Sequence, residues 1–283
     1  MMISLKTLQF RRIPDLFILV SIFANHAIGD ASQKLQFPKK EEFLECASSK
    51  LAPPGDLLQL YTFNLLETRR ELDAEGKILD STVKVYEVFP NPLEKLTYRR
   101  LLSVNGQLLS TQKLQEQDQL QKKRIKKIRN RRKQQKESRR MRAIQEVFRI
   151  FHFEFQAREK IGKYQTIRFG FEKKPGLNPR DWDLKMLTKF RGTAWIDESQ
   201  CKLVQLDAEL LDTVSYGFGI AARLYEGTRI FLKRRQINAE IWMVEKSIFR
   251  MFSRVMLLKT LRFEVLSQYS NFQKHNHNGL NAR

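Results

Sequence analysis

Long hydrophobic runs are missing from most of this chain. After the first 30 residues no stretch approaches the roughly 18–20 apolar residues that a spanning helix needs, so no internal membrane span is expected. Cysteine occurs only at Cys46 and Cys201, which is no metal-site spacing. In an oxidising compartment the two could pair; otherwise they read as two isolated buried thiols, and their spacing leaves both open. Catalytic signatures are also missing. There is no Gly-x-Ser-x-Gly, no phosphate-binding loop, no His-Glu-x-x-His and no dinucleotide fingerprint. Of four histidines, His26 lies in the leader, His275 and His277 in a polar tail, and His152 beside a β-type segment. Asp181, Asp183, Asp197 and Glu198 fall near turns, where carboxylates commonly accept backbone N–H bonds. The expectation is a protein with no enzyme activity, no cofactor and no metal.

The start of the chain sets the compartment. Lys6, Arg11 and Arg12 precede the apolar run 16–23, and Ala24, Ala27 and Gly29 follow. A basic head, a short apolar middle and small residues at the end form a secretory signal peptide over 1–29. Export to the periplasm follows, with an uncleaved inner-membrane anchor facing the periplasm as the alternative. Cys46 follows Phe43-Leu-Glu and lacks a lipidation context, so the mature protein is expected to be soluble.

The net charge of +21 is uneven. Residues 111–142 hold 14 Lys or Arg against Glu116, Asp118 and Glu137, a surplus of 11 and about half the total. Forty-two per cent hydrophobic residues and 20 Phe argue for a folded domain rather than a disordered one.

Residues 30–40 read as a polar linker. Phe43, Leu44 and Ala47 at helical spacing predict a short helix over 41–51, which Pro53-Pro54-Gly55 ends. Strand patterns follow at 58–72, 78–89 and 98–104, the last closed by Asn105-Gly106, a strong hairpin signal. A long, solvated basic helix is predicted over about 112–150, capped by Ser110 or Thr111. Its last turns, with Ile144, Val147, Phe148 and Phe151 at i, i+3, i+4, i+7, dock on the domain. Further strands are predicted from 153, at 164–172, and then at 190–196, 202–211, 216–225, 229–235, 241–244, 249–257 and 261–272, with a helical turn near 182–187. The connections are too short for parallel crossovers, so the sheet is antiparallel. About ten strands in one open sheet tend to curl, leaving one concave face. The fold class is mainly β (α+β): a strongly curved antiparallel sheet with a short N-terminal helix and a long basic helix inserted mid-chain. Residues 41–273 form one domain and 274–283 a polar tail.

The most specific stretch is Arg191-Gly-Thr-Ala-Trp-Ile-Asp197 with its return strand 202–206. It resembles the Gly-x-x-Trp-Ile-Asp hairpin of the bacterial lipoprotein-carrier superfamily, the LolA/LolB-like proteins, including their outer-membrane lipoprotein-sorting relatives. The order of leader, short helix, meander, helix and signature hairpin is similar as well, over residues 41–273. The resemblance implies an unclosed barrel whose apolar concavity holds acyl chains or an apolar partner segment. It carries over to Gly192, Trp195, Ile196 and Asp197, whose role in the family is mainly structural.

Two segments suggest binding. Residues 216–225 alternate large apolar with small side chains, either against a tightly packed helix or as a cavity wall. The candidate apolar wall is Trp195, Phe218, Ile220, Leu224 and Phe263. Lys122, Lys123, Arg124, Lys126, Lys127, Arg129, Arg131, Arg132 and Lys133 form the basic cluster. It has no interleaved aromatics for stacking on bases, which disfavours nucleic acid. In an exported protein it reads as a solvated face or as a match for anionic headgroups, each Lys or Arg contributing about 1 kcal/mol there. The expected partner is a lipid or a lipidated polypeptide. The second reading is a protein-interaction or sensory module of the cell envelope with a filled core and no ligand.

Overall fold

Among the described residues, three helices and 13 strands belong to the unit Pro38–Arg283. The computed structural model describes residues 37–51, 61–91, 96–128, 147–179, 182–216, 222–239, 241–255 and 259–274. The expected leader, residues 30–36 of the expected linker and the expected tail beyond Lys274 lie outside the described residues. The helices are α1 (Lys40–Leu51), α2 (Thr111–Ile128) and α3 (Trp182–Leu187). The strands are β1 (Tyr61–Leu72), β2 (Ile78–Asn91), β3 (Leu96–Val104), β4 (Gln107–Leu108), β5 (Phe151–Ile161), β6 (Tyr164–Lys173) and β7 (Phe190–Asp197). They continue with β8 (Leu203–Leu210), β9 (Val214–Tyr216), β10 (Ala222–Leu224), β11 (Arg229–Gln236), β12 (Trp242–Val255) and β13 (Lys259–Lys274).

The strand order is β4-β3-β2-β1-β13-β12-β11-β8-β7-β6-β5, with the β9–β10 hairpin attached through β10 to β12. Every described pairing is antiparallel, and β4 and β5 are the two ends of the path, so the sheet is not closed into a barrel. It is strongly bent. Strands β6 and β11 are three steps apart, about 14 Å in a flat sheet at ~4.8 Å per step. Yet the Tyr164 hydroxyl accepts the Gln236 backbone N–H at 2.9 Å, and the Tyr164 and Trp242 rings lie 4.6 Å apart.

Turn chemistry matches the sequence where it is local. Asn105 and Gly106 have φ of 49° and 81°, the left-handed pair that a tight two-residue hairpin requires. Asp73 Oδ1 accepts the N–H groups of Glu75 and Lys77, closing the β1–β2 turn.

Three expectations change. The stretch 216–225 is not one strand but part of the β9–β10 hairpin, with Ala222 paired to Tyr216, and residues 217–221 lie outside the described residues. Strands expected at 241–244 and 249–257 are one strand, β12, because pairing with β11 and β13 carries the backbone through 245–248. Helix α2 docks by its early turns and not only by the end of the basic segment. After the undescribed 129–146, a helical turn at 147–150 leads straight into β5.

Helix α1 covers one end of one sheet face. Phe43 stacks on Phe169 at 5.7 Å, and Ala47 is fully buried beside Phe153, Ile167 and Ile196. Val147 and Phe148 pack on the same cluster, as their helical spacing predicts. The helix is also held covalently, because Cys46 and Cys201 form a disulfide with Cα atoms 5.8 Å apart. Asp197 aims Cys201. Its buried Oδ1 accepts from the backbone N–H groups of Ser199 and Gln200 and from the Ser199 hydroxyl, and Cys201 then sits at φ 54°.

Gly192 shows why the hairpin motif needs glycine. A Cβ there would stand 2.8 Å from Phe171 Cζ and from Ala208 Cα, and would collide with the Asp207 carbonyl oxygen. Since backbone cannot move aside as a ring tip can, Gly192→Ala is expected to cost about 1–3 kcal/mol, read as a lowered thermal midpoint.

On the other face Glu264, 8% exposed, accepts from Arg70 (2.8 Å) and from Arg250 (2.7 Å). Burial alone would raise its pKa, but hydrogen bonds from the two guanidinium groups outweigh it and hold the carboxyl below 4.5. A depressed folded pKa contributes stability above the unfolded value and loses it as pH falls through the folded one. Urea unfolding of the wild type is therefore expected to weaken below about pH 4.5 more steeply than that of Glu264→Gln. The variant should be less stable by about 3 kcal/mol at neutral pH. Parallel pH profiles would remove this account.

Candidate functional site

Antiparallel partners project to the same face, so away from bulges the register assigns strand residues to a side. From Phe169 the α1 side runs through Ala194 on β7, Leu206 on β8, Leu232 on β11 and Ser247 on β12 to Ser267 on β13. By alternation it includes Ile230, Phe249, Met251, Leu261, Phe263 and Val265, all half-buried. The cluster that holds α1 contains none of these residues. They form an apolar strip over β11, β12 and β13, next to the part of the face under α1. Leu224 and Ile230 join it to the cluster of Phe190, Ala208 and Leu210. Ser253, 5% exposed, lies on this side with a hydroxyl that has no hydrogen-bond partner among the described residues.

The strip has a polar border at β1–β3. Arg69 stacks over the Phe263 ring at 4.1 Å, and Arg99 pairs with Glu67 at 3.4 Å. Burial, followed by the Glu67 charge, raises the Tyr86 phenol above its ordinary value.

The expected wall residues divide. Phe263 and Leu224 lie on the α1 side. Phe218 and Ile220 lie outside the described residues. Trp195 belongs to the opposite face, which corrects its place in an apolar wall. Ala194 and Ile196 turn toward α1, so the residue between them must turn away. Its indole N–H donates to Glu159 at 2.8 Å, and Glu159 also pairs with Arg168. Trp195 lines a hollow of about 440 Å³ together with His152, Glu154, Gln156, Asp207 and Arg229. That hollow is charged and suits a polar partner better than hydrocarbon.

Residues Ile230, Leu232, Phe249 and Met251 were not anticipated as site residues. Their alternation in the sequence marks them as strand positions facing one side. Only the pairing of β11, β12 and β13 makes them neighbours.

Helix α2 docks on the sheet edge. The Gln117 side chain acts as a short strand: it accepts the Leu101 N–H at 2.9 Å and donates to the Leu101 carbonyl at 3.1 Å. This satisfies backbone groups that an edge strand would leave open. Asp118 accepts from the Tyr98 hydroxyl at 2.7 Å and from Arg100 at 2.9 Å. Burial, then the Asp118 carboxylate, raises the Tyr98 phenol above its ordinary value. Ser110 is the capping residue, accepting the Lys113 N–H at 3.4 Å. Lys122, Lys123 and Arg124 follow this anchor and are exposed; Lys126 and Lys127 continue the helix. Arg129, Arg131, Arg132 and Lys133 lie outside the described residues. Among the described residues no helix is long and apolar enough to cross a membrane.

No family model matches the chain, and neither does any curated protein. Solved structures that resemble it include an outer membrane lipoprotein-sorting protein domain from Vibrio parahaemolyticus, 10% identical over 85% of this chain and 94% of that one, with a TM-score of 0.31. A LolA superfamily protein from Nitrosomonas europaea is 10% identical over 83% and 93%, with a TM-score of 0.27. A chain of the Pseudomonas aeruginosa MucA/MucB complex is 7% identical over 83% and 98%, with a TM-score of 0.22. At these scores the likeness carries nothing about ligand or partner, and the open antiparallel sheet stands on its strand pairing.

Replacing Gln117 and Asp118 together by Ala should free α2. Amide hydrogen exchange over 111–124 is expected to quicken by on the order of tenfold, with exchange in β12 and β13 unchanged.

Proposed function

We propose that the chain is an exported binding protein that holds the acyl chain of a lipid or lipidated polypeptide against the α1-side face of its curved sheet. The observation that supports this is the strip of Ile230, Leu232, Phe249, Met251 and Phe263, half-buried on three adjacent strands and outside the cluster that holds α1. Binding alone is the mechanism. Each CH₂ moved from water onto such a surface contributes about 0.8 kcal/mol, so a few methylenes suffice for measurable affinity. Helix α2, anchored at Gln117 and Asp118, presents Lys122, Lys123 and Arg124 to solvent, where they would favour an anionic membrane surface. The site of action is the periplasm, on the reading of residues 1–29 as a signal peptide.

Gentle purification followed by native mass spectrometry should reveal a co-purified lipid mass, and a fluorescent fatty acid should be taken up by the stripped protein. Met251→Arg, which places a charge in the middle of the strip, should weaken uptake by at least about tenfold, because desolvating one charge costs more than the ~1.4 kcal/mol that factor represents. Neither a lipid mass nor fatty-acid uptake by the wild type would end this reading. A protein partner recovered with the full chain, and lost on removing 111–142, would then favour the interaction module.

A further inference from the structure

One end of the apolar strip meets an uncompensated cluster of cations. The β11–β12 register shifts between Lys233 and Arg234, but the extra residue, Glu245, is on β12, so β11 keeps its alternation: Lys233 turns away to pair with Glu245, and Arg234 shares the side of Leu232. Its guanidinium is half-buried, and its hydrogen-bond partner is the Trp242 backbone carbonyl, which accepts from Nη2 at 3.0 Å. The same Trp242 reaches toward Lys202: its indole N–H donates to the Gln200 side chain, two residues before Lys202, at 3.2 Å, and the Lys202 ammonium lies 3.5 Å from the Lys50 carbonyl oxygen. Lys50 is the basic residue of the last turn of α1. Arg234 and Lys50 both act on the Lys202 charge. Burial, then the Arg234 and Lys50 charges, lowers the Lys202 pKa, and burial lowers that of Arg234.

Among the described residues no carboxylate pairs with Lys50, Lys202 or Arg234. Nearby acids are engaged elsewhere: Glu245 with Lys233, Glu198 with Arg158, and Asp197 with the turn that carries Cys201. The end of α1 offers about half a negative charge from its terminal carbonyls, against three full positive charges. Half-buried cations without a counter-charge are costly unless an anion joins them.

We propose that Arg234 and Lys202, with Lys50 behind them, receive the anionic oxygen group of an amphiphile, a carboxylate or phosphate, whose chain lies along Leu232, Ile230 and Phe249. This rests on the acyl-binding reading and narrows it from any apolar ligand to an anionic one. Arginine suits such a group because its planar fork donates two parallel hydrogen bonds to a carboxylate or phosphate. The disulfide matters here as well, since Cys201 ties Lys202 to the helix that carries Lys50.

The test compares three probes on the full, lipid-stripped chain: cis-parinaric acid, its methyl ester and inorganic phosphate. The wild type should bind the acid at least about tenfold more tightly than the ester, the factor one charge-assisted contact supplies. Arg234→Gln and Lys202→Gln should each reduce that preference without weakening the ester. Arg234→Lys, which keeps the charge, should retain most of it and controls for a folding defect at position 234. Equal binding of acid and ester by the wild type would overturn the anion site and leave the acyl-binding reading intact. Phosphate binding that depends on Arg234, with neither parinaroyl probe bound, would overturn the headgroup assignment together with the acyl-binding reading, and would point to a free anion. No binding of any probe would overturn both.

Discussion

Glu264 holds the middle of the sheet together. It sits on β13 between Arg70 on β1 and Arg250 on β12, so one carboxylate ties three strands. A one-residue slip would turn every side chain of β13 to the other face and leave this buried charge unpaired, a penalty of several kcal/mol. The pairing of β1 with β13 also joins two runs of strands, one from each half of the chain, into a single surface. The apolar strip exists because the β12–β13 register sets Phe263 and Val265 beside Met251 and Phe249.

The other half of the sheet is organised by the hairpin that carries Trp195. Gly192 gives Phe171 room and lets the backbone approach Ala208, Ala194 and Ile196 face α1, and Asp197 shapes the turn that presents Cys201 to Cys46. Each of these residues has a structural task. Trp195 is half-buried on the far side with an indole bonded to Glu159, and it belongs to a charged hollow rather than to a lipid wall. Both sheet faces are thus differentiated: one is apolar and partly covered by α1, the other carries most of the ion pairs.

Charge is distributed with a comparable logic. Much of the net positive charge lies in the segment that begins with α2, and the anchor of that helix is polar: a glutamine completes a strand edge and an aspartate is shared by Tyr98 and Arg100. A smaller group of cations, Lys50, Lys202 and Arg234, arises from three distant parts of the chain and meets at one end of the apolar strip. Hydrocarbon-compatible surface ending in positive charge with no carboxylate partner among the described residues is the arrangement an anionic amphiphile would fit.

By itself the sequence determined the local items: the α1 helix from the spacing of Phe43, Leu44 and Ala47, the Asn105-Gly106 and Asp73 turns, a helix cap at Ser110 or Thr111, most strand boundaries and an open, curved antiparallel architecture. These depend on residues a few positions apart, through backbone conformation and side-chain periodicity. Only the tertiary structure decided that Cys46 meets Cys201, that Trp195 turns away from the apolar face, that 216–225 breaks into a hairpin, and that Ile230, Phe249, Met251 and Phe263 lie side by side with Arg234 at their end. Strand alternation tells which residues share a side of one strand. It says nothing of which strand lies next to it, because that choice is made by pairings such as β1 with β13 and β8 with β11, whose partners lie tens to hundreds of residues apart.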